Sequence, residues 1–240
     1  MNDVHVMVSQ KLSSKEWKWD QSIFSDEKMK ERMEEYRNYL NVETRNAQEI
    51  WRTEMNNYID NFRGIVGDLA TGLGGMFERL LESKAQFFPI ATDVDPNVLA
   101  WTSKKMKEKY EKEFVSVATD AKHFAFKDNT FDYLTSCAGL NNIPDTIVAL
   151  SELHRVLKDN GKIVAMQLFV EKNSNSYEMA RKFNAERSLV EQFFIDDLTQ
   201  VGFKKVRANI VSSAIWARNP MDGLPVAGDS QYYAIVEAEK

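Results

Sequence analysis

The spacing of apolar positions divides the chain into two regimes. Met29, Met33, Tyr36 and Leu40 fall at i, i+4, i+7 and i+11, one face of a helix, and Trp51, Met55, Tyr58 and Phe62 repeat that spacing. Both stripes predict amphipathic helices packed on a core, and one of them is also suited to close over a ligand. Beyond Phe62 short apolar runs replace the stripes. Residues 65–69, 87–92, 114–118, 131–136 and 162–170 read as buried strands, and 203–210 and 232–236 as two more. Helical patterns fill the gaps at 76–81, from Pro96 to roughly 110, at 146–157, and over 176–201 with a break near 185–188. Asn160-Gly161 closes one helix, and Asn219-Pro220 and Gly223-Leu224-Pro225 mark a loop between the last two strands. Alternating strand and helix predicts an α/β fold, a doubly wound, mostly parallel sheet of seven strands. The last two strands, with no convincing helix between them, form its antiparallel edge pair. Residues 1–62 are read as an N-terminal helical extension or lid and 63–240 as the main domain; the structure of the first 22 residues is left open.

Composition narrows the function classes. The 240 residues carry 31 basic and 36 acidic side chains, a net charge of −5, which disfavours nonspecific nucleic-acid binding. With 43% apolar residues, including 14 Phe, 8 Tyr and 5 Trp, the chain can bury a substantial core and is not of the disordered class. One cysteine, Cys137, excludes an intrachain disulfide and a multi-cysteine zinc site. His5, His123 and His154 lie far apart, so no metal is expected. No apolar run reaches membrane-spanning length and none near the start resembles a secretion signal, which predicts a soluble, cytoplasmic protein.

Candidate chemistry centres on Asp68-Leu69-Ala70-Thr71-Gly72-Leu73-Gly74-Gly75. Here a strand ends in a carboxylate and a glycine turn feeds a helix, letting a ligand approach the backbone. Asp93 ends the next strand, 21 residues beyond Gly72, where an acid can accept both hydroxyls of a ribose. Two carboxylates around one pocket suit a cofactor bearing a positive charge and a sugar, and repel a pyrophosphate. A dinucleotide fingerprint would also place glycine where Phe77 stands. Asp120, in Thr119-Asp120-Ala121 after the third strand, has two readings. It can accept from an adenine amine, with Ala121 leaving room for the ring, or cap the turn before His123. His154 reads as packing, His123 as a loop residue, Cys137 as inert, and Arg155 and Lys158 as complements to a helix dipole. Spacing assembles no hydrolytic triad or carboxylate pair.

These motifs, with Asp93-Val94-Asp95-Pro96, Asp120-Ala121 and residues 126–132, resemble in order and spacing those of class I S-adenosylmethionine-dependent methyltransferases. Residues 139–145 and 152–161 continue the resemblance, which spans roughly 60–170. Within that family the ubiquinone/menaquinone C-methyltransferases are near neighbours. The resemblance implies a Rossmann-like sheet, S-adenosyl-L-methionine as cofactor with S-adenosyl-L-homocysteine as product, and no metal. It also implies roles. Asp68, Ala70, Gly72, Leu73 and Gly74 would wall the methionyl part and ribose. Asp93 would take the ribose hydroxyls and Val94 the adenine face. Asp120 and Ala121 would flank the adenine amine, and Ser136 and Cys137 would lie beside the methionyl group. Two departures stand out: Asn160-Gly161 replaces the usual Pro-Gly-Gly, and residues beyond about 172 do not resemble the quinone enzymes. The stretch Ser136-Cys137-Ala138-Gly139 matches neither the amino-methylating nor the cytosine-methylating nucleic-acid branch.

An acceptor pocket is expected between Asn141 and Asn142, the N-terminal aromatics Tyr36, Tyr39, Trp51 and Tyr58, and residues 216–225 with Trp216. Aromatic abundance favours a flat or apolar small-molecule acceptor. The methylated atom is left open, as is the oligomeric state, a homodimer included. The competing readings are an NAD(P)-dependent oxidoreductase and a cofactor-binding methyltransferase-like protein without catalysis.

Overall fold

The structure, a computed structural model, describes residues 4–6, 40–217 and 224–240, with isolated helical positions at 27, 28, 31, 34, 35 and 38. The predicted contacts of Met29, Met33, Tyr36 and Tyr39 therefore lie outside the described residues. In chain order the elements are β1 (Val4–Val6), α1 (Val42–Ile59), β2 (Gly64–Leu69), α2 (Gly75–Glu82), β3 (Phe87–Asp93), α3 (Pro96–Lys109), β4 (Val115–Ala118) and β5 (Phe131–Ser136). There follow α4 (Thr146–Val156), β6 (Leu157–Val170), α5 (Asn175–Arg181), α6 (Glu186–Leu189), α7 (Glu191–Val201), β7 (Lys204–Ile215) and β8 (Ser230–Glu239).

All seven expected strands are present in one sheet, ordered β1-β4-β3-β2-β5-β6-β8-β7. An eighth, β1, adds a parallel edge beside β4, with Val4 opposite Ser116. The final two strands pair antiparallel as expected, but β8 alone runs against the sheet, inserted between β6 and β7. The strand order reverses between β2 and β5, and such a switch leaves a crevice at the carboxyl ends of the strands.

Side chains alternate across the sheet. Leu69, Phe131, Leu134, Leu153, Phe169 and Phe194 build the core on one face. Val66, Trp51, Met55, Phe77, Met166 and Tyr233 build the other. Helix α1 starts where the Asn41 side chain accepts from the Thr44 amide at 2.7 Å. Its buried stripe of Ala47, Trp51, Met55 and Ile59 then crosses the late strands. Trp51 Nε1 donates to Ala234 O at 2.8 Å, and Ser212 Oγ to Ala47 O at 2.7 Å. Phe62 falls beyond the helix and stacks on Tyr133, centroids 4.5 Å apart.

Three local expectations gain detail. The region 176–201 is broken as expected, but twice, into three helices, and the Ser188 carbonyl accepts from Asn141 Nδ2 and Gln167 Nε2, each at 2.8 Å. Strand β6 begins at Leu157 and absorbs Asn160-Gly161 as an irregularity, with Asn160 at φ 63°. Arg155 lies in the last turn of α4, as expected, and both it and Lys158 also make bonds to other elements. Arg155 donates to Phe126 O and Phe124 O at 2.9 and 2.8 Å and to Asp128 and Glu152, while Lys158 pairs with Asp132 at 2.7 Å. They clamp the loop after β4 and the edge of β5. His154 packs edge-on against Phe203 as expected.

Helix α6 is tied to α7 through Arg187, whose Nε lies 3.0 and 2.9 Å from the two oxygens of Asp197, 1% exposed. Removing the cation strands a buried carboxylate, whereas removing the acid leaves a half-exposed guanidinium that water can solvate. Arg187→Ala should therefore cost about 3–5 kcal/mol and Asp197→Ala clearly less, read from urea unfolding midpoints. Equal losses would contradict this account of the pair.

Candidate functional site

The carboxyl ends of β2 to β5 bring the predicted cofactor residues together. Asp93 ends β3 and is 8% exposed; its Oδ2 accepts the Gly72 amide at 2.8 Å and its Oδ1 the Asp95 amide at 2.9 Å. Burial raises this carboxyl above the usual range, and those amides oppose the rise. Three threonines lock the turn that Asp93 holds. Thr71 N donates to Thr92 O at 2.8 Å, Thr92 Oγ1 to Asp68 O at 2.9 Å, and Thr102 Oγ1 to Gly72 O at 2.6 Å. The sequence reading did not include them, although Thr71 and Thr92 sit at adjacent strand ends and are the small hydroxyl residues such a junction needs.

Asp68 is different in kind. It is 1% exposed, and neither carboxylate oxygen has a hydrogen-bond partner among the described residues. Burial pushes its carboxyl well up, the nearby Thr71 hydroxyl opposes the rise, and the Asp93 charge adds to it. Its register neighbour on β5 is Thr135, whose buried Oγ1 is likewise unpartnered. Buried acceptors without donors are costly, so this corner lacks a cationic or donating group.

The remaining residues divide between lining and bracing. Val94 is 38% exposed beside Asp93, an apolar surface turned to solvent. Leu73, Ala70 and Ala121 are half-buried along the crevice. Asp120 does cap the turn at 121–123, its Oδ1 accepting the Lys122 amide at 2.8 Å, while Oδ2 lies 3.8 Å from exposed His123 Nδ1. Ser136 is wholly buried, donating to Leu69 O at 2.9 Å and accepting the Gly139 amide at 3.1 Å, so its hydroxyl braces the floor. Gly74 at φ 88° caps α2 where a Cβ would meet Met106 Cε and Thr102 Cγ2 within 2.5 and 2.9 Å. Burial pushes the Cys137 thiol up to about 11, so at neutral pH it is not a thiolate.

Beyond Cys137 and Ala138 the crevice adjoins a cavity of about 270 Å³. Trp51, Asn141, Asn142 and Trp216, four of the five predicted acceptor residues, line it together. Tyr36, the fifth, lies outside the described residues. Asn141 contributes shape more than polarity: it donates to Leu168 O and Ser188 O at 3.0 and 2.8 Å and accepts the Leu168 amide at 3.0 Å. Trp51 has its Nε1 engaged by Ala234. Trp216 Nε1 is buried and unpartnered among the described residues. Leu224 and Pro225, within the expected 216–225 segment, also line it, and Gln48, Arg52, Leu189 and Tyr233, which were not foreseen, complete much of the wall. Gln48 and Arg52 stand three residues before and one after Trp51, so a wider helical face would have included them. The described residues hold no cluster of three metal-ligating side chains and no helix long and apolar enough to cross a membrane.

The sequence profile of the ubiE/COQ5 methyltransferase family matches residues 21–190, more than half of the chain. The chain belongs to the ubiE/COQ5 methyltransferase family. Over 63 residues it is 46% identical to the demethylmenaquinone methyltransferase of Staphylococcus haemolyticus, covering 26% of each protein. The chain spans between about a quarter and half the length of the curated relatives it matches. Among solved structures, the phosphoethanolamine N-methyltransferase 2 of Haemonchus contortus in complex with S-adenosyl-L-methionine has a TM-score of 0.64 at 17% identity. That alignment covers 92% of this chain and 58% of that one. The [4+2]-cyclase SpnF has a TM-score of 0.57 at 18% identity, covering 78% and 80%. These likenesses establish the fold, which hosts more than one chemistry. The family match ends at Val190, before α7, β7 and β8, so Trp216, Leu224, Pro225 and Tyr233 of the cavity lie outside it.

One backbone position joins crevice and cavity most tightly. A Cβ on Gly139 would stand 2.6 Å from both Ala70 Cβ and Ser136 Oγ and 3.0 Å from Leu69 O. Gly139→Ala should force the ends of β2 and β5 apart and destabilise the fold by about 1–3 kcal/mol, measured by denaturant unfolding. An unchanged midpoint would show that this junction yields without strain.

Proposed function

We propose that the protein transfers a methyl group from S-adenosyl-L-methionine to a small-molecule acceptor. The observation that carries this reading is the unpartnered carboxylate of Asp68 beneath a turn held by Asp93. Family membership supports it, and so does the chemistry of the donor set. An ammonium-bearing nucleoside offers Asp68 the positive donor it lacks, and offers the outer lone pairs of Asp93 the two hydroxyls of its sugar. A diphosphate would face two carboxylates at close range and gain nothing from them, which weighs against the dinucleotide reading. Phe77, fully buried against Phe114, also fills the place of the third fingerprint glycine.

When bound, the cofactor supplies a methyl group on a positively charged sulfur. The protein's part is to position and to exclude water. Asp68 and Thr135 would anchor the amino-acid end, Asp93 the ribose, Val94 and Ala121 the base. The backbone at Gly72 and Gly74 leaves room for close approach. Cys137 and Ala138 stand where crevice meets cavity, so an acceptor seated against Trp51 and Trp216 would present an atom to the sulfur side. Orientation of this kind is worth up to roughly 7–11 kcal/mol of barrier. Residues 63–240 would form the transferase domain, with the residues before them covering the acceptor side. Among relatives the printed activity is methylation of demethylmenaquinone, so a quinol-like ring is one acceptor consistent with the family. The late cavity wall, outside the family match, is where this chain would set its own choice.

Two outcomes test the assignment. In the ligand-free chain the raised carboxyl of Asp68 means that folding takes up a proton relative to the unfolded chain. Stability should fall as pH rises from the ordinary carboxylate range through that raised value, and Asp68→Asn should flatten the slope. Binding of S-adenosyl-L-homocysteine favours the ionised acid, so affinity should rise with pH over the same window and release a proton. Calorimetry in buffers of different ionisation enthalpy reads that proton, and none released would refute the pairing. Asp93→Ala should weaken the same ligand by about tenfold or more, with circular dichroism retained. Unchanged binding would remove Asp93 from the site.

A further inference from the structure

Between crevice and cavity one side chain takes the place of a strand. Strand β5 ends at Ser136. Its last backbone links to β6 are the bridge between Cys137 and Met166 and the bond from Ala138 N to Met166 O at 2.8 Å. Ala138 then turns at φ 54° and the chain leaves the sheet. The N–H and C=O of one strand residue point to the same side, and every second residue repeats that side. Leu168, two residues beyond Met166, therefore presents both groups to an edge that β5 has vacated. The Asn141 side chain, 5% exposed, fills that edge: Nδ2 donates to Leu168 O and Oδ1 accepts from Leu168 N, each at 3.0 Å. A side-chain amide carries the same donor and acceptor as a peptide, so the ladder runs one step further without backbone.

Asn141 Nδ2 also donates to Ser188 O at the end of α6, at 2.8 Å. Leu168 and Leu189, the residue after Ser188, line the cavity together with Cys137 and Ala138. On the crevice side Ser136 Oγ donates to Leu69 O and accepts the Gly139 amide, which fixes the same turn to β2. Gln167 Nε2 reaches Ser188 O as well, at 2.8 Å, but from within β6, so that bond holds α6 to the sheet and not to the turn. We propose that Asn141 is a positioning residue of the transferase, coupling the cofactor turn at 137–139 to the acceptor wall at Leu168 and Leu189. The proposal rests on the transferase reading for what fills the crevice, and on these hydrogen bonds alone for the linkage. Both N–H protons of Asn141 are engaged by carbonyls, so it acts through the backbone it holds and not as a donor to the acceptor molecule. In-line transfer tolerates little misplacement of the reacting groups, and one amide here sets how far the two walls stand apart. A ligand that stiffens the turn must then stiffen the wall.

The test is hydrogen exchange of the full chain, followed at single amides by nuclear magnetic resonance, with and without saturating S-adenosyl-L-homocysteine. In the unaltered chain the ligand should slow exchange at Leu168 and over 186–189. Asn141→Ala should speed ligand-free exchange at Leu168 about tenfold, the loss of one hydrogen bond. It should also erase the slowing by ligand at both places, while calorimetry still finds S-adenosyl-L-homocysteine bound within about threefold of its original affinity. Gln167→Met should quicken 186–189 alone and leave the response of Leu168 to ligand in place. An unaltered chain whose Leu168 amide ignores the ligand would overturn the proposal, as would a response that survives Asn141→Ala or one lost in Gln167→Met. The unaltered chain and Gln167→Met decide the matter even if the alanine variant does not fold. Failure of the unaltered chain to bind S-adenosyl-L-homocysteine would instead defeat the transferase reading. Unchanged ligand-free exchange at Leu168 in Asn141→Ala would by itself remove Asn141 from the ladder.

Discussion

A carboxylate held dry at the end of a central strand is the constraint around which the molecule is arranged. Asp68 sits in β2, at the point where the strand order reverses, and among the described residues neither of its carboxylate oxygens has a hydrogen-bond partner within ordinary distance. Its neighbours are organised as though that debt were to be met from outside. Asp93 is occupied in fixing Gly72 and Asp95, Thr92 fixes the carbonyl of Asp68, and Ser136 closes the gap to β5. A polar network normally earns its place in a core by being complete. This one is complete except at Asp68 and Thr135, and the incompleteness is local and directional.

The parallel core and the crevice were legible because both depend on local pattern. Short apolar runs, the Gly72-Leu73-Gly74 turn and an acid at each strand end are properties of a few consecutive residues. What was illegible depends on partners distant in sequence. The break near 185–188 could be read from the pattern, but not that Asn141 and Gln167, 47 and 21 residues away, would hold the Ser188 carbonyl. Arg155 has the position of a dipole-compensating residue, yet the carbonyls that engage it belong to Phe124 and Phe126. β1 is three residues long, too short for any periodicity to announce. Asn141 was rightly placed beside the cavity, but no spacing rule could say that its amide would be consumed by Leu168 and Ser188.

Crevice and cavity also differ in how they are built. The crevice comes from strand ends and tight turns within the family match, where Asp93 and Ser136 are fixed by backbone partners. The cavity is assembled from five parts of the chain: α1, the turn after β5, the end of β6, the α5–α6 region and the β7–β8 end. Its walls are joined by few, specific links. Trp51 ties α1 to β8, Asn141 ties the turn to β6 and α6, and Arg187 ties α6 to α7. Precision resides in the first site and adjustability in the second, a division that lets one cofactor chemistry serve different acceptors.

That division bears on which end of the chain governs choice of acceptor. Helix α1 contributes Arg52 and lies within the family match, whereas Trp216 and Tyr233 lie beyond it. The Trp51 indole crosses between them, donating to β8 and meeting the Tyr233 ring edge-on at 5.3 Å. A change in β8 that shifts Tyr233 must therefore move Trp51, and with it the helix face that presents Arg52 one residue on. The Trp51 side of α1 and the Tyr233 side of β8 are thus in direct contact. On the proposed transferase reading, variation in acceptor choice would act through β7 and β8, and the hydrogen bond from Trp51 to Ala234 would limit it.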